Sequence, residues 1–221
     1  MSEPAFPEGA GQRVLLTAFE PFDGAALNAS WEVARRFADR TIRGATVVPW
    51  RLPVVFGEAI AELDRALAAT AAHLVIALGE ARGRAAVSLE RVAINVDDAR
   101  IPDNAGSRPI DRPVVAGGPA AYWTGLPIKA IAARLRDEGI PAEISQTAGT
   151  FVCNHVFYAL CQRQAEGART MRGGFIHLPA LPEQQPQPVL PLAVSLRAVA
   201  LAIEVSLARR QDMVAAGGAL A

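Results

Sequence analysis

The sequence predicts an α/β domain with a largely buried sheet, and two patterns carry that reading. Apolar runs of five or six residues alternate along the chain with segments whose apolar residues recur at helical spacing. The runs are apolar on successive rather than alternate residues, as in strands covered on both faces. The length of 221 residues, with no linker-like break, suits one domain over 1–221, and 1–12 and 212–221 are expected to be poorly ordered.

The runs at 14–19, 74–79, 142–147 and 174–178 are the predicted strands. After the first, Ser30 reads as an N-cap for a helix whose inner face carries Trp31, Ala34, Phe37 and Ala38. Ile60, Leu63 and Leu67 mark a second helix. A third has Pro127 at its first position, apolar Ile128, Ile131, Ala132 and Leu135, and Gly139 just past its end. The last is predicted to start at Ser195 and to bury Leu196, Val199, Ala200, Ile203 and Leu207. Residues 97–118 break the alternation. They hold Pro102, Pro109 and Pro113 and are long for an idle loop, which marks them as a lid or contact surface.

Composition excludes several classes. Lys plus Arg and Asp plus Glu both number 22, so the formal net charge is zero and no basic face is available for nucleic acid. The acidic, proline-bearing N-terminus lacks the basic and apolar regions of a secretory signal, so a cytoplasmic location is expected. The apolar stretch 189–207 carries Arg197 and Glu204 and is broken by Pro191, so it reads as an amphipathic helix and no membrane contact is expected. Cys153 and Cys161, eight positions apart in one predicted helix, lie about 12 Å apart along its axis, too far for a disulfide. Histidines at 73, 155 and 177 and the two cysteines lack the close paired spacings of a zinc site, so no metal is expected. The stretch from Gly79 through Glu80, Ala81, Arg82 and Gly83 to Arg84 follows a strand. It lacks the dinucleotide glycine spacing and sets a carboxylate where a pyrophosphate would approach.

A nucleophilic cysteine remains. Cys153 falls in the first turn of a helix that follows a strand and a turn at 148–150, where unpaired N–H groups and the macrodipole favour thiolate and offer an oxyanion hole. The competing reading is a small buried apolar residue, which describes most free cysteines. A thiolate needs a base. His155, two residues on, points to the opposite side of the helix and reads as structural, and His73 opens its strand at the wrong end. His177, late in its strand, is the one suitably placed. For a third, orienting group, Glu20, Glu80, Glu90, Asp97 and Asp98 all lie near strand ends, and the residues alone do not choose among them.

In several blocks the chain resembles the pyroglutamyl peptidase I family, cysteine peptidases also called pyrrolidone-carboxylate peptidases. The blocks are Thr17-Ala18-Phe19-Glu20-Pro21-Phe22, Glu90-Arg91-Val92-Ala93-Ile94-Asn95, Leu126-Pro127-Ile128-Lys129, Thr147-Ala148-Gly149-Thr150-Phe151-Val152-Cys153-Asn154-His155 and Gly174-Phe175-Ile176-His177-Leu178-Pro179. The resemblance implies a three-layer α/β/α sandwich around a mixed, mostly parallel twisted sheet. It also implies a triad of Cys153, His177 and Glu90, which selects among the carboxylates left open above. Phe19, Phe22, Ile101, Phe151 and Val152 would line a slot for the pyroglutamyl ring, with Asn28 and Glu80 addressing the lactam and Arg91 supporting the oxyanion. The chain departs from the family at Glu80 and Arg82, where Gln and more glycine are usual. The implied activity is removal of N-terminal pyroglutamate from peptides through a thioester, without cofactor or metal, by a homo-oligomer, dimer or tetramer. A nucleoside-phosphorylase-like transferase and a non-catalytic lactam-binding relative are the rival readings.

Overall fold

The computed structural model describes residues 11–167 and 171–218. Among these the strands are β1 (Arg13–Phe19), β2 (Thr41–Ile42), β3 (Ala45–Leu52), β4 (Leu74–Glu80), β5 (Val87–Glu90), β6 (Val92–Ile94), β7 (Ala121–Trp123), β8 (Ala142–Ser145) and β9 (Arg172–Leu178). The helices are α1 (Ala29–Ala34), α2 (Glu58–Thr70), α3 (Ile128–Asp137), α4 (Val152–Glu166) and α5 (Leu192–Ala208). Seven strands form one sheet in the order β2-β3-β1-β4-β9-β5-β8, and β6 pairs with β7 separately. Most pairs are parallel, but β2 runs against β3 and β5 against β9.

Alternate residues of β1 explain the layers. Val14, Leu16 and Ala18 join a core with α1, α3 and α5, whereas Leu15 and Phe19 join a second core with α2 and α4. The result is a three-layer α/β/α sandwich. Both faces of the central strands are covered, which is why they read as continuous apolar runs. Phe157, Tyr158 and Leu160 of α4 are fully buried on the second face, each such burial contributing roughly 1.5–3 kcal/mol.

Several boundaries differ from expectation. Asn28, not Ser30, caps α1: its Oδ1 accepts from the Ser30 N–H at 3.0 Å. The Ser30 hydroxyl instead donates to Asn28 Oδ1 and accepts from the Phe19 N–H at 3.1 Å, tying the helix to the end of β1. Pro127 flanks α3 rather than opening it, and α5 begins at Leu192 rather than Ser195. β8 ends at Ser145. β3 was unmarked because Pro49 and Arg51 disguise it. The two-residue β2 reaches only Ala45 and Thr46, so on that side Pro49 breaks no ladder. The segment 97–118 forms no strand or helix, yet it is well tied: the Asp97–Arg112 bridge closes it, and the Asp103 carboxylate accepts from the N–H groups of Phe56, Ala105 and Ser107.

Residues 212–218 form no helix or strand but are tied to the domain at Asp212 and Gly217, while 1–10 and 219–221 lie outside the described residues. Pro127 offers no side-chain cap to α3, and Asp212 supplies one from a distance. Its carboxylate accepts from the N–H groups of Lys129 at 2.9 Å and Ala130 at 3.0 Å. Asp212→Ala is expected to destabilise the protein by about 1–2 kcal/mol and to lower Tm by about 2–8 °C. An unchanged melting curve would rule the cap out.

Candidate active site

The site is built where β9 crosses between β4 and β5. His177 of β9 pairs with Gly79 of β4 on one side and with Ser88 of β5 on the other. Glu90 lies two residues beyond Ser88 on the same face, so it meets the imidazole diagonally across the antiparallel pair. Its Oε1 is 2.7 Å from His177 Nδ1, and the two side chains are 0% and 5% exposed. The register needs a glycine at 79. A Cβ there would stand 2.8 Å from His177 Cδ2 and 2.8 Å from the Phe175 ring, too close for either to stay in place.

A second donor reaches the same carboxylate oxygen. Arg84 Nη1 lies 2.7 Å from Glu90 Oε1, and its Nη2 donates to the Thr147 carbonyl at 3.0 Å. Arg84 thus links the acid of β5 to the loop that leads into α4. Glu90 Oε2 is buried with no partner among the described residues.

That loop delivers Cys153. Gly149, at φ +79°, makes the left-handed turn, and Phe151 flanks the helix in an extended conformation. Cys153 is therefore the second helical residue. His155 N–H is the first to find a carbonyl of the turn, that of Phe151, so the N–H groups of 152–154 precede the helical ladder. Asn154 anchors this end, accepting from the Ile94 N–H and donating to the carbonyls of Ile94 and Val96. The half-buried thiol does not behave as its position suggests. Burial, followed by the charges of Glu90 and Glu80, pushes its pKa up to about 12, against a smaller opposing pull from Arg84. A helix terminus is worth about 0.3–1 kcal/mol, under one pK unit. It does not offset that sum, and Cys153 rests as a thiol at neutral pH.

β8, which leads to α4, runs antiparallel to β9, yet the loop after it brings the start of α4 to the carboxyl ends of β1 and β4, where Cys153 lines one slot with Phe19 and Glu80. His177, next to last in β9 and paired with Gly79, lies at the same edge.

Beside Cys153 lies a narrow slot of about 20 Å³ lined by Phe19, Phe22, Asn28, Val54, Glu80, Phe151, Val152 and Cys153. Ile101 is half-buried and is not among its walls. Phe22 and Phe151 face each other with centroids 6.2 Å apart, and Phe56 meets Phe151 edge-on at 5.4 Å. Arg91 is directed elsewhere: its guanidinium bonds the Gly217 carbonyl, and it is not a wall of the slot. Glu20 bonds the Val54 N–H and Asn104, and Asp97 bonds His155 Nδ1 at 2.8 Å. His155 Nε2 accepts from the Gly57 N–H, so both of its nitrogens are engaged. Val54 lines the slot as its alignment to the family implied, whereas Gly79 and Arg84 were not singled out by sequence reasoning as site residues. Only the crowding of glycines around 79–84 hinted at them. A larger hollow of about 490 Å³, bounded by Asp64, His73, Arg163 and Met171, lies at the opening end of β4 and lacks a nucleophile.

The fold and this site define a three-layer α/β/α scaffold that carries a helix-borne cysteine in the wall of an apolar slot and an acid-supported histidine on β9. The profile of the pyroglutamyl peptidase family matches residues 12–209. The pyrrolidone-carboxylate peptidase of Erwinia tasmaniensis is 54% identical over 212 residues, covering 94% of this chain and 99% of that one. That of Bacillus cytotoxicus is 49% identical over 209 residues, covering 93% and 97%. The crystal structure of pyroglutamyl peptidase I from Bacillus amyloliquefaciens superposes with a TM-score of 0.89 at 43% identity, covering 91% of this chain and 100% of that one. The chain belongs to the pyroglutamyl peptidase family, which is of cysteine-peptidase type. Neither the phosphorylase-like nor the non-catalytic reading finds support in these relatives.

The raised thiol pKa sets a test. The rate of Cys153 alkylation by iodoacetamide is expected to climb about tenfold per pH unit from pH 7 to 9 without a plateau. Levelling near neutral pH would show a preformed thiolate.

Proposed function

We propose that the protein is a cysteine exopeptidase that removes pyroglutamate from peptide N-termini, with Cys153 as nucleophile, His177 as base and Glu90 as the group that orients the imidazole. The observation that carries this reading is the buried 2.7 Å contact between His177 Nδ1 and Glu90 Oε1, in a chain of this family. With Nδ1 donating to the carboxylate, Nε2 is left as the proton acceptor.

Because the thiol is protonated at rest, proton removal accompanies attack. His177 takes the Cys153 proton as sulfur adds to the pyroglutamyl carbonyl, and N–H groups at the start of α4 receive the oxyanion. The imidazolium returns its proton to the leaving amine, and a thioester remains. Water activated by His177 then hydrolyses it, releasing pyroglutamate and restoring the thiol. Arg91, bonded at Gly217, takes no part in this sequence. The lactam is small, flat and uncharged, and suits a slot walled by Phe19, Phe22, Phe151 and Val152 beside Asn28, where a charged amine would be costly to desolvate.

The activity as proposed requires neither metal nor cofactor. The cytoplasm is the proposed location, supported by two free cysteines and by the lack, among the described residues, of any helix long and apolar enough to cross a membrane. The zero net charge argues against nucleic acid as a partner. A homo-oligomer, dimer or tetramer, is the proposed assembly, favoured by the exposed Ile110 and Trp123.

Cys153→Ala is expected to lower hydrolysis of a pyroglutamyl-aminocoumarin substrate by about four to six orders of magnitude with the fold unchanged. Retained turnover would exclude Cys153 as nucleophile. Arg84→Met, which leaves Glu90 without its cation, is expected to cut kcat by about tenfold or more and to shift the alkylation profile of Cys153 to still higher pH. Loss of Tm alone, with both readings unmoved, would reduce Arg84 to a structural tie.

A further inference from the structure

We propose that Arg82 determines the charge selectivity of the slot, by neutralising Glu80 in a clasp with Gln184 so that an uncharged ring is accepted and a cationic one refused. This rests on the functional reading above, in that the slot is taken to hold the N-terminal ring.

Glu80 lies at the end of β4 as a wall of the slot, and its side chain is 0% exposed. A carboxylate offers about four acceptor positions, and three protein donors engage both of its oxygens. Oε1 receives Arg82 Nε at 2.9 Å and Gln184 Nε2 at 2.9 Å. Oε2 receives the Ala29 N–H at 2.6 Å and shares Gln184 Nε2 at 2.9 Å. Little acceptor capacity is left for the N–H of a bound lactam, so the bearing of Glu80 on the ring is chiefly indirect.

Its work is done through what it holds. The Ala29 N–H follows Asn28, the slot residue that caps α1, so one oxygen fixes Asn28 in place. Arg82 fixes the opposite wall: its guanidinium lies 4.7 Å over the Phe22 ring, and its nitrogens reach Asp23 Oδ2 at 3.3 Å and the Phe22 carbonyl at 3.4 Å. One cation therefore both pairs with the buried carboxylate and holds an aromatic wall. A buried charge without its partner is strongly unfavourable, and a ligand that supplies the missing charge is favoured in proportion. With Arg82 present, a protonated amine finds the Glu80 oxygens already engaged and the charge of that carboxylate offset by a cation. Without it, one position on Oε1 opens and the carboxylate is left to be paired.

Two five-membered rings of similar size separate these states: neutral 2-pyrrolidone and L-prolinamide, protonated at its ring nitrogen. Calorimetric titration gives the ratio of their dissociation constants. Relative to the parent, Arg82→Met is expected to shift that ratio about tenfold towards L-prolinamide. Glu80→Gln, which removes the buried partner of the cation and leaves it only the exposed Asp23, should shift it the opposite way. The double variant Glu80→Gln with Arg82→Met should return it to within about threefold of the parent. A merely structural tie would lower Tm and weaken both ligands alike, so an unchanged ratio in the single variants overturns the proposal. So does a double variant no closer to the parent than Arg82→Met. If Arg82→Met fails to fold, the sign of the Glu80→Gln shift still decides. Binding is read without turnover, so a parent that binds 2-pyrrolidone but hydrolyses nothing would overturn the proposed function and leave the clasp standing.

Discussion

The structure turns on one buried contact, that between Glu90 and His177. A carboxylate with a fully buried side chain is tolerable only when paired, since an unpaired ion in the interior costs several kcal/mol. Here both partners, His177 and Arg84, converge on a single oxygen. Three features of the fold exist in forms that permit this. β5 runs antiparallel to β9, which brings Glu90 diagonally onto the face of His177. Gly79 leaves room for the ring. Arg84 spans from the acid to the loop before α4, so the placement of the acid and the placement of the thiol are coupled.

Two buried carboxylates thus stand on either side of β9 with different tasks. Glu90 keeps one oxygen free of partners and bears on an imidazole. Glu80 holds donors on both oxygens and bears on the walls of the slot. Both charges oppose ionisation of Cys153, and burial opposes it more strongly still. In the proposed chemistry that resistance gives His177 its role: the proton leaves as the substrate carbonyl arrives, in a site from which the ring has displaced water.

Much of the fold was legible because burial on both faces writes itself into composition. The runs within β1, β4 and β9 are apolar throughout since helices cover both sides, and Gly139 marked the end of α3 through its left-handed φ of +71°. Strand direction was not legible. Nothing in the four residues of β5 says that they run against β9. Caps supplied from afar were equally hidden, as Asp212 on α3 shows. At the site, Cys153 and His177 could be singled out by their places in local elements. Glu90 could not be separated from four other acids except through the resemblance, because its selection depends on a cross-strand register. Arg84 and Gly79 act through contacts with residues of another strand or loop, and spacing along the chain does not encode those.

The central claim is that the thiol beside the slot performs the chemistry on a pyroglutamyl ring. It is tested most directly by affinity labelling with a pyroglutamyl chloromethyl ketone followed by peptide mapping. The account expects one equivalent of label on Cys153, activity lost in proportion, and protection by 2-pyrrolidone, with the buried Cys161 unmodified. Labelling of another residue, or activity that survives full modification of Cys153, would contradict it.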